Sequence, residues 1–85
     1  MANNIEWKAK ALKQVGKLDR PTRSRIVKAV AELEGMPNVA NVIALTDHQY
    51  GYRLRVGDYR VLFDWDGGIR IVSVQEVKIR NRSTY

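Results

Sequence analysis

A chain of 85 residues with 15 Lys and Arg against 9 Asp and Glu carries a formal charge of +6, and 45% of its residues are hydrophobic. Such a length suits one small folded domain, residues 1–85, and so large a cationic excess favours a polyanionic partner, whether nucleic acid, an anionic membrane surface or an acidic protein. The lack of cysteine excludes disulfides, thiolate chemistry and the usual zinc frameworks; with no signal-like N-terminus and no apolar run of membrane-spanning length, a cytoplasmic location is expected.

Residues 5–7 predict a short first strand. From Lys8 the pattern turns helical, with Ala11, Leu12, Val15 and Leu18 in one stripe and Lys10, Lys13 and Lys17 on the wet side. Gly16 and residues 19–21 interrupt it. Pro21 suits the first turn of a second helix, where its missing N–H costs nothing. Ile26, Val27, Val30 and Leu33 form that helix's apolar stripe, Gly35 ends it, and Pro37 prevents its continuation. Residues 38–49 hold Val39, Val42, Ile43 and Leu45 in a weak pattern that reads as a loop with a few anchoring residues. His48, the sole histidine, reads as an exposed loop residue before it reads as a catalyst.

Residues 52–63, YRLRVGDYRVLF, form the most informative stretch. Two alternating runs flank Gly57 and Asp58, and glycine at the first central position supplies the positive φ of a type II′ turn. The resulting register sets Val56 against Tyr59, Leu54 against Val61 and Tyr52 against Phe63, giving an apolar face that covers a core. On the other face Arg55 meets Arg60, with Arg53 two residues along. Like charges directly opposite destabilise a sheet by roughly the 0.2–1 kcal/mol that a favourable pair contributes. Two readings follow, an anion site or arginines splayed into water.

A second hairpin is expected over residues 64–71. A three-residue loop, Asp66, Gly67 and Gly68, with a left-handed glycine, sets Trp65 against Ile69, Asp64 against Arg70 and Phe63 against Ile71. A strand over residues 71–77 then leads into a basic tail with Lys78, Arg80, Arg82 and the terminal Tyr85. Trp7 is expected at the helix-sheet junction and Trp65 beside the second turn, both as structural residues. The elements predict an α+β fold, βααβββ, with two helices on one face of a small antiparallel sheet.

This order of elements, the hairpin YRLRVGDYRVLF and the terminal KIRNRSTY resemble the RelE/ParE superfamily of bacterial toxins from toxin-antitoxin systems. The resemblance covers nearly the whole chain and is most specific over residues 52–63. The RelE-like branch of that superfamily cuts messenger RNA, typically in the ribosomal A site; the ParE-like branch poisons DNA gyrase without nuclease activity. By position, the resemblance assigns Arg53 and Arg55 to the basic pair on the first hairpin strand and Arg60 to the second-strand arginine. Arg80 or Lys78 corresponds to the basic residue after the last strand, and Tyr85 to the C-terminal tyrosine. Catalytic roles are therefore expected for Arg60, Arg80, Tyr85 and Lys78, and RNA contacts for Arg53, Arg55 and Arg82. One departure stands out: the first-strand pair is often lysine in that branch, and here both are arginine.

The chemistry implied is attack of a ribose hydroxyl on the adjacent phosphate. It needs no metal or cofactor, but it does need stabilisation of charge on the phosphate, which arginines provide bidentately. A base and an acid assist. Arginine, with a pKa above 12, is a poor base, so Lys78, Glu76, His48 and Tyr85 stay open for that task, as does catalysis by positioning and electrostatics alone. Tyr85 suits stacking on a splayed base. The expected partners are messenger RNA, the ribosome and a cognate antitoxin that forms a hetero-oligomer with the toxin and covers its basic face; no membrane is involved. The alternatives are a gyrase inhibitor on the same scaffold and a basic nucleic-acid-binding module with no catalysis.

Overall fold

A computed structural model describes residues 2–79. The chain runs through β1 (Asn4–Trp7), α1 (Ala9–Gly16), α2 (Arg20–Ala31) and a 3-10 turn (Glu32–Gly35), then β2 (Val42–Ala44), β3 (Tyr52–Val56), β4 (Tyr59–Asp66) and β5 (Ile71–Ile79). The strands form one sheet in the order β1-β5-β4-β3-β2, with β1 parallel to β5 and the other pairs antiparallel. The α+β class and the two helices agree with the expectation from sequence. The sheet itself departs from it, being mixed rather than wholly antiparallel, with five strands in a βααββββ order.

The additional strand is β2, within the stretch read as a loop. It is an edge strand of 3 residues whose Ile43 is left exposed, so it never had to show a clear apolar alternation. Pairing with β3 defines it: Val42 lies opposite Leu54, and Ala44 opposite Tyr52.

Local signals define the second helix well. Asp19 at its N-cap accepts the Thr22 N–H, hydrogen bonding from the Thr22 side chain and then its backbone draws the Asp19 carboxyl below its ordinary pKa, and Pro21 lies in the first turn. Both helices bury narrow stripes. Ala11 and Val15 from α1, with Ile26, Val30 and Leu33 from α2 and the 3-10 turn, pack with Leu54, Val61, Phe63, Val72, Val74 and Val77 of the sheet. Leu12 and Val27, assigned to these stripes by sequence, are instead exposed by 52% and 46%. Each follows a buried residue by one position, a rotation of about 100°, which on a short helix resting on a sheet is enough to leave the contact.

The first hairpin has the expected register, from Tyr52 opposite Phe63 to Val56 opposite Tyr59. Gly57 has a φ of 57° while Asp58 is not among the residues of positive φ, as a type II′ turn requires. The guanidinium of Arg25 on α2 also closes on this turn: a Cβ at Gly57 would lie 2.7 Å from an Arg25 nitrogen. Gly57→Ala is therefore expected to destabilise the fold by about 1–2 kcal/mol through left-handed strain, read as a lower urea midpoint. An unchanged midpoint would show that the turn relaxes to another type.

The second hairpin corrects the sequence reading. Strand β4 continues through Asp66, with Asp64 opposite Ser73, Trp65 opposite Val72 and Asp66 opposite Ile71. The Asp66 carboxylate accepts the N–H groups of Gly68 and Ile69, and the left-handed residue is Arg70 rather than a glycine. This register buries Val72 completely and leaves Ile69 66% exposed; burying the valine outweighs the exposed Asp64–Arg70 charge pair that the shorter loop offered. Trp65 and Trp7 are both partly buried against the core, and the Trp65 indole N–H donates to Asn3 Oδ1 at 3.0 Å.

Strand β1 covers the outer edge of β5 only along Ile71 to Val74. Beyond that point α1 takes over. The Lys8 N–H donates to the Val74 carbonyl at 2.9 Å, and the Val77 N–H donates to Gln14 Oε1 at 2.7 Å. These two edge groups of β5 are satisfied by α1 and its N-terminus, and the polar flank of α1 is held beside the end of that strand.

Candidate functional site

Alternation along three central strands separates core from site. Leu54, Val61 and Val77 point into the core, so their neighbours Arg53, Arg55, Arg60 and Lys78 belong to the opposite face. Arg55 lies opposite Arg60, and Arg60 lies opposite Lys78. Neighbouring strands are about 4.8 Å apart, so these cationic side chains are rooted within about 10 Å of one another. The next rank holds Arg53, Leu62 and Glu76, with a bulge in β5 between Val74 and Glu76 that leaves Gln75 unpaired with β4.

A cleft of about 120 Å³ opens here, lined by Arg53, Arg55, Gly57, Asp58, Tyr59 and Arg60. Three arginines line one small cleft, and a phosphate is the ligand whose charge and paired oxygens suit them. Leu62 is buried on this face, giving the cationic row an apolar floor beside it.

Glu76 sets a carboxylate beside the Lys78 end of the row. Its side chain is only 10% exposed, and Oε1 lies 3.1 Å from Lys10 Nζ and 3.9 Å from Lys78 Nζ. The hydrogen bond and charge of Glu76 raise the pKa of Lys10, which therefore stays an ammonium. Lys10 was assigned by sequence to the wet side of α1, and nothing local to the helix distinguishes it from Lys13 or Lys17. The docking of α1 along β5 is what brings it here.

Asp64, on the same face of β4, joins the ends of the neighbouring strands. Its carboxylate accepts the Gly51 N–H at 2.8 Å and a Gln75 side-chain N–H at 3.1 Å, securing the entry to β3. His48 belongs to the loop before that entry, at the end of β3 away from Gly57. It is exposed, and its Nδ1 accepts the Tyr50 N–H at 3.0 Å. Of the residues considered for proton transfer, the structure places Lys78 in the row and Glu76 beside it, and leaves His48 in a separate loop. Arg80, Arg82 and Tyr85 lie outside the described residues. Among the described residues no group of His, Asp and Glu side chains is gathered as a metal site, and no helix is long and apolar enough to cross a membrane.

Residues 5–83 match the family model described as ParE toxin of type II toxin-antitoxin system, parDE. No curated protein matches the chain. Among solved structures, it is similar to the archaeal RelE of the RelE-RelB complex from Pyrococcus horikoshii, with a TM-score of 0.81 and 24% identity over 96% of this chain and 99% of that one. The RelBE2 toxin-antitoxin complex of Mycobacterium tuberculosis gives a TM-score of 0.80 at 19% identity, covering 94% of this chain and 100% of that one. The intact RelBE toxin-antitoxin complex of E. coli gives 0.75 at 26% identity, covering 95% and 100%.

Proposed function

Because the chain belongs to the ParE toxin family of type II toxin-antitoxin systems, and is RelE-like in structure, we propose that it is an endoribonuclease that cuts messenger RNA in the ribosomal A site. The observation that carries this reading is the row of Arg55, Arg60 and Lys78 across three strands, with Arg53 beside it. A gyrase inhibitor that cleaves nothing has no need of so dense an anion-stabilising row, and the row is costly to the sheet when nothing binds it.

The reaction is transfer within the substrate. A ribose 2′-hydroxyl attacks the neighbouring phosphorus, the bond from phosphorus to the 5′-oxygen breaks, and the products are a 2′,3′-cyclic phosphate and a 5′-hydroxyl. One proton leaves the attacking oxygen and one reaches the leaving oxygen. Arg55 and Arg60 hold the non-bridging oxygens as charge grows on them, with Lys78 beside Arg60. Arg80 joins them and Arg82 contacts the RNA backbone, in roles that rest on the resemblance. In the cell the toxin is cytoplasmic, and a cognate antitoxin restrains it by laying an acidic or extended segment over the cationic face.

Primer-extension mapping of transcripts after brief induction tests the function. Cuts inside translated codons that vanish when translation is blocked are expected. A supercoiling defect with intact transcripts would overturn the reading in favour of gyrase inhibition.

Two residue-level results follow from it. Removing Arg53 or Arg55 is expected to weaken RNA binding and reduce its salt dependence by about one counterion each; an unchanged salt slope in both variants would count against phosphate contacts. Tyr85 is proposed to act through its ring, so Tyr85→Phe should keep most cleavage while Tyr85→Ala loses about 1–3 kcal/mol of stacking. Equal damage from both would assign the work to the hydroxyl.

A further inference from the structure

Lys78 has two claims on its charge. It is the register partner of Arg60 in the cationic row, and it lies 3.9 Å from the carboxylate of Glu76. That carboxylate is almost buried, at 10% side-chain exposure, so leaving it without a cation is costly. The closer cation is Lys10, at 3.1 Å from the same oxygen, Oε1. Its distance is that of a charge-assisted hydrogen bond, whereas 3.9 Å is a looser ionic contact.

We infer that Lys10 is a positioning residue of the phosphate-binding row: by occupying the Glu76 carboxylate it leaves the Lys78 ammonium available to the RNA. This rests on the RNA-cleavage reading above and identifies a residue from outside the sheet that sustains it. The anchoring of α1 supports it. The Gln14 side chain accepts the Val77 N–H at 2.7 Å, one helical turn from Lys10 and one residue from Glu76, so the helix holds its lysine in register with the strand. The pKa of Lys10, raised chiefly by Glu76, keeps it charged wherever Glu76 is ionised. Without Lys10, the nearest remaining ammonium is Lys78, and the carboxylate draws it out of the row.

The test is a cycle of variants, Lys10→Met, Glu76→Gln and both together, with binding read on a single-stranded RNA carrying 2′-methoxy groups, which cannot be cleaved. Lys10→Met is expected to weaken binding about tenfold and to lower the salt slope by about one. In the Glu76→Gln background the same change is expected to do little, since no carboxylate remains to capture Lys78. Lys10→Arg should bind as the unaltered protein does. A crystal structure of Lys10→Met, independent of any RNA, should show Lys78 Nζ closed onto Glu76.

An equal loss from Lys10→Met in both backgrounds would overturn the inference by making Lys10 a direct RNA contact. So would full binding by Lys10→Met, or a crystal structure with Lys78 unmoved. Failure of the unaltered protein to bind RNA would overturn the functional reading instead, while the crystal structure would still report on the contact among Lys10, Glu76 and Lys78.

Discussion

Arg60→Ala is expected to abolish growth inhibition while leaving the protein folded. Arg60 lies at the centre of the cationic row, between Arg55 and Lys78, so no other residue of the row has charged partners on both neighbouring strands. On the proposed RNA-cleavage reading, removing one donor aimed at the developing charge of the transition state costs about 10²–10³ in rate, enough to silence the toxin. The change also relieves repulsion along the row, so stability should hold or rise by a few tenths of a kcal/mol. Arg60→Lys keeps the charge but loses the bidentate fork, and an intermediate toxicity is expected. Growth curves after induction, paired with urea denaturation of the purified protein, measure both quantities. Full toxicity from Arg60→Ala at normal expression would remove it from the site.

The second large effect is on the fold. Phe63 is completely buried and stacks on Tyr52 with ring centroids 5.4 Å apart, while Tyr52 meets Trp65 edge-on at 6.1 Å. Phe63→Ala is expected to cost about 3–5 kcal/mol, a large share of the roughly 5–15 kcal/mol that holds a domain together. Each kcal/mol lowers the melting temperature of a domain this small by about 4–8 °C, so the variant should be largely unfolded at growth temperature. Phe63→Leu keeps most of the volume and should be milder. Circular-dichroism melts decide the matter: an alanine variant melting with the unaltered protein would mean that Phe63 is not the centre of the core. The two variants also separate two causes of lost toxicity, since only Phe63→Ala should lose it through unfolding.

The comparison between sequence and structure turns on how local each signal is. The hairpin over residues 52–63 was legible because a two-residue turn sets its register, and one glycine of positive φ sets the turn. Once that register was known, the meeting of Arg55 with Arg60 followed from alternation alone. The cap at Asp19 and the proline after it were legible for the same reason, since the groups they satisfy lie within one helical turn. The second hairpin was misread because its turn is closed by a side chain, Asp66, and its register is settled by which aliphatic residue is buried, Val72 or Ile69.

From its sequence alone this protein determines its α+β class, the first hairpin and the arginine face that hairpin presents, because a tight turn and a two-residue period propagate from neighbour to neighbour along the chain. Only the tertiary structure decided the edge strand β2, the parallel pairing of β1 with β5, and the arrival of Lys10 beside Glu76 and Lys78. Lys10 and Glu76 are joined by the docking of one helix along one strand edge. That docking is driven by burial of apolar surface, which has no direction and no sequence spacing of its own.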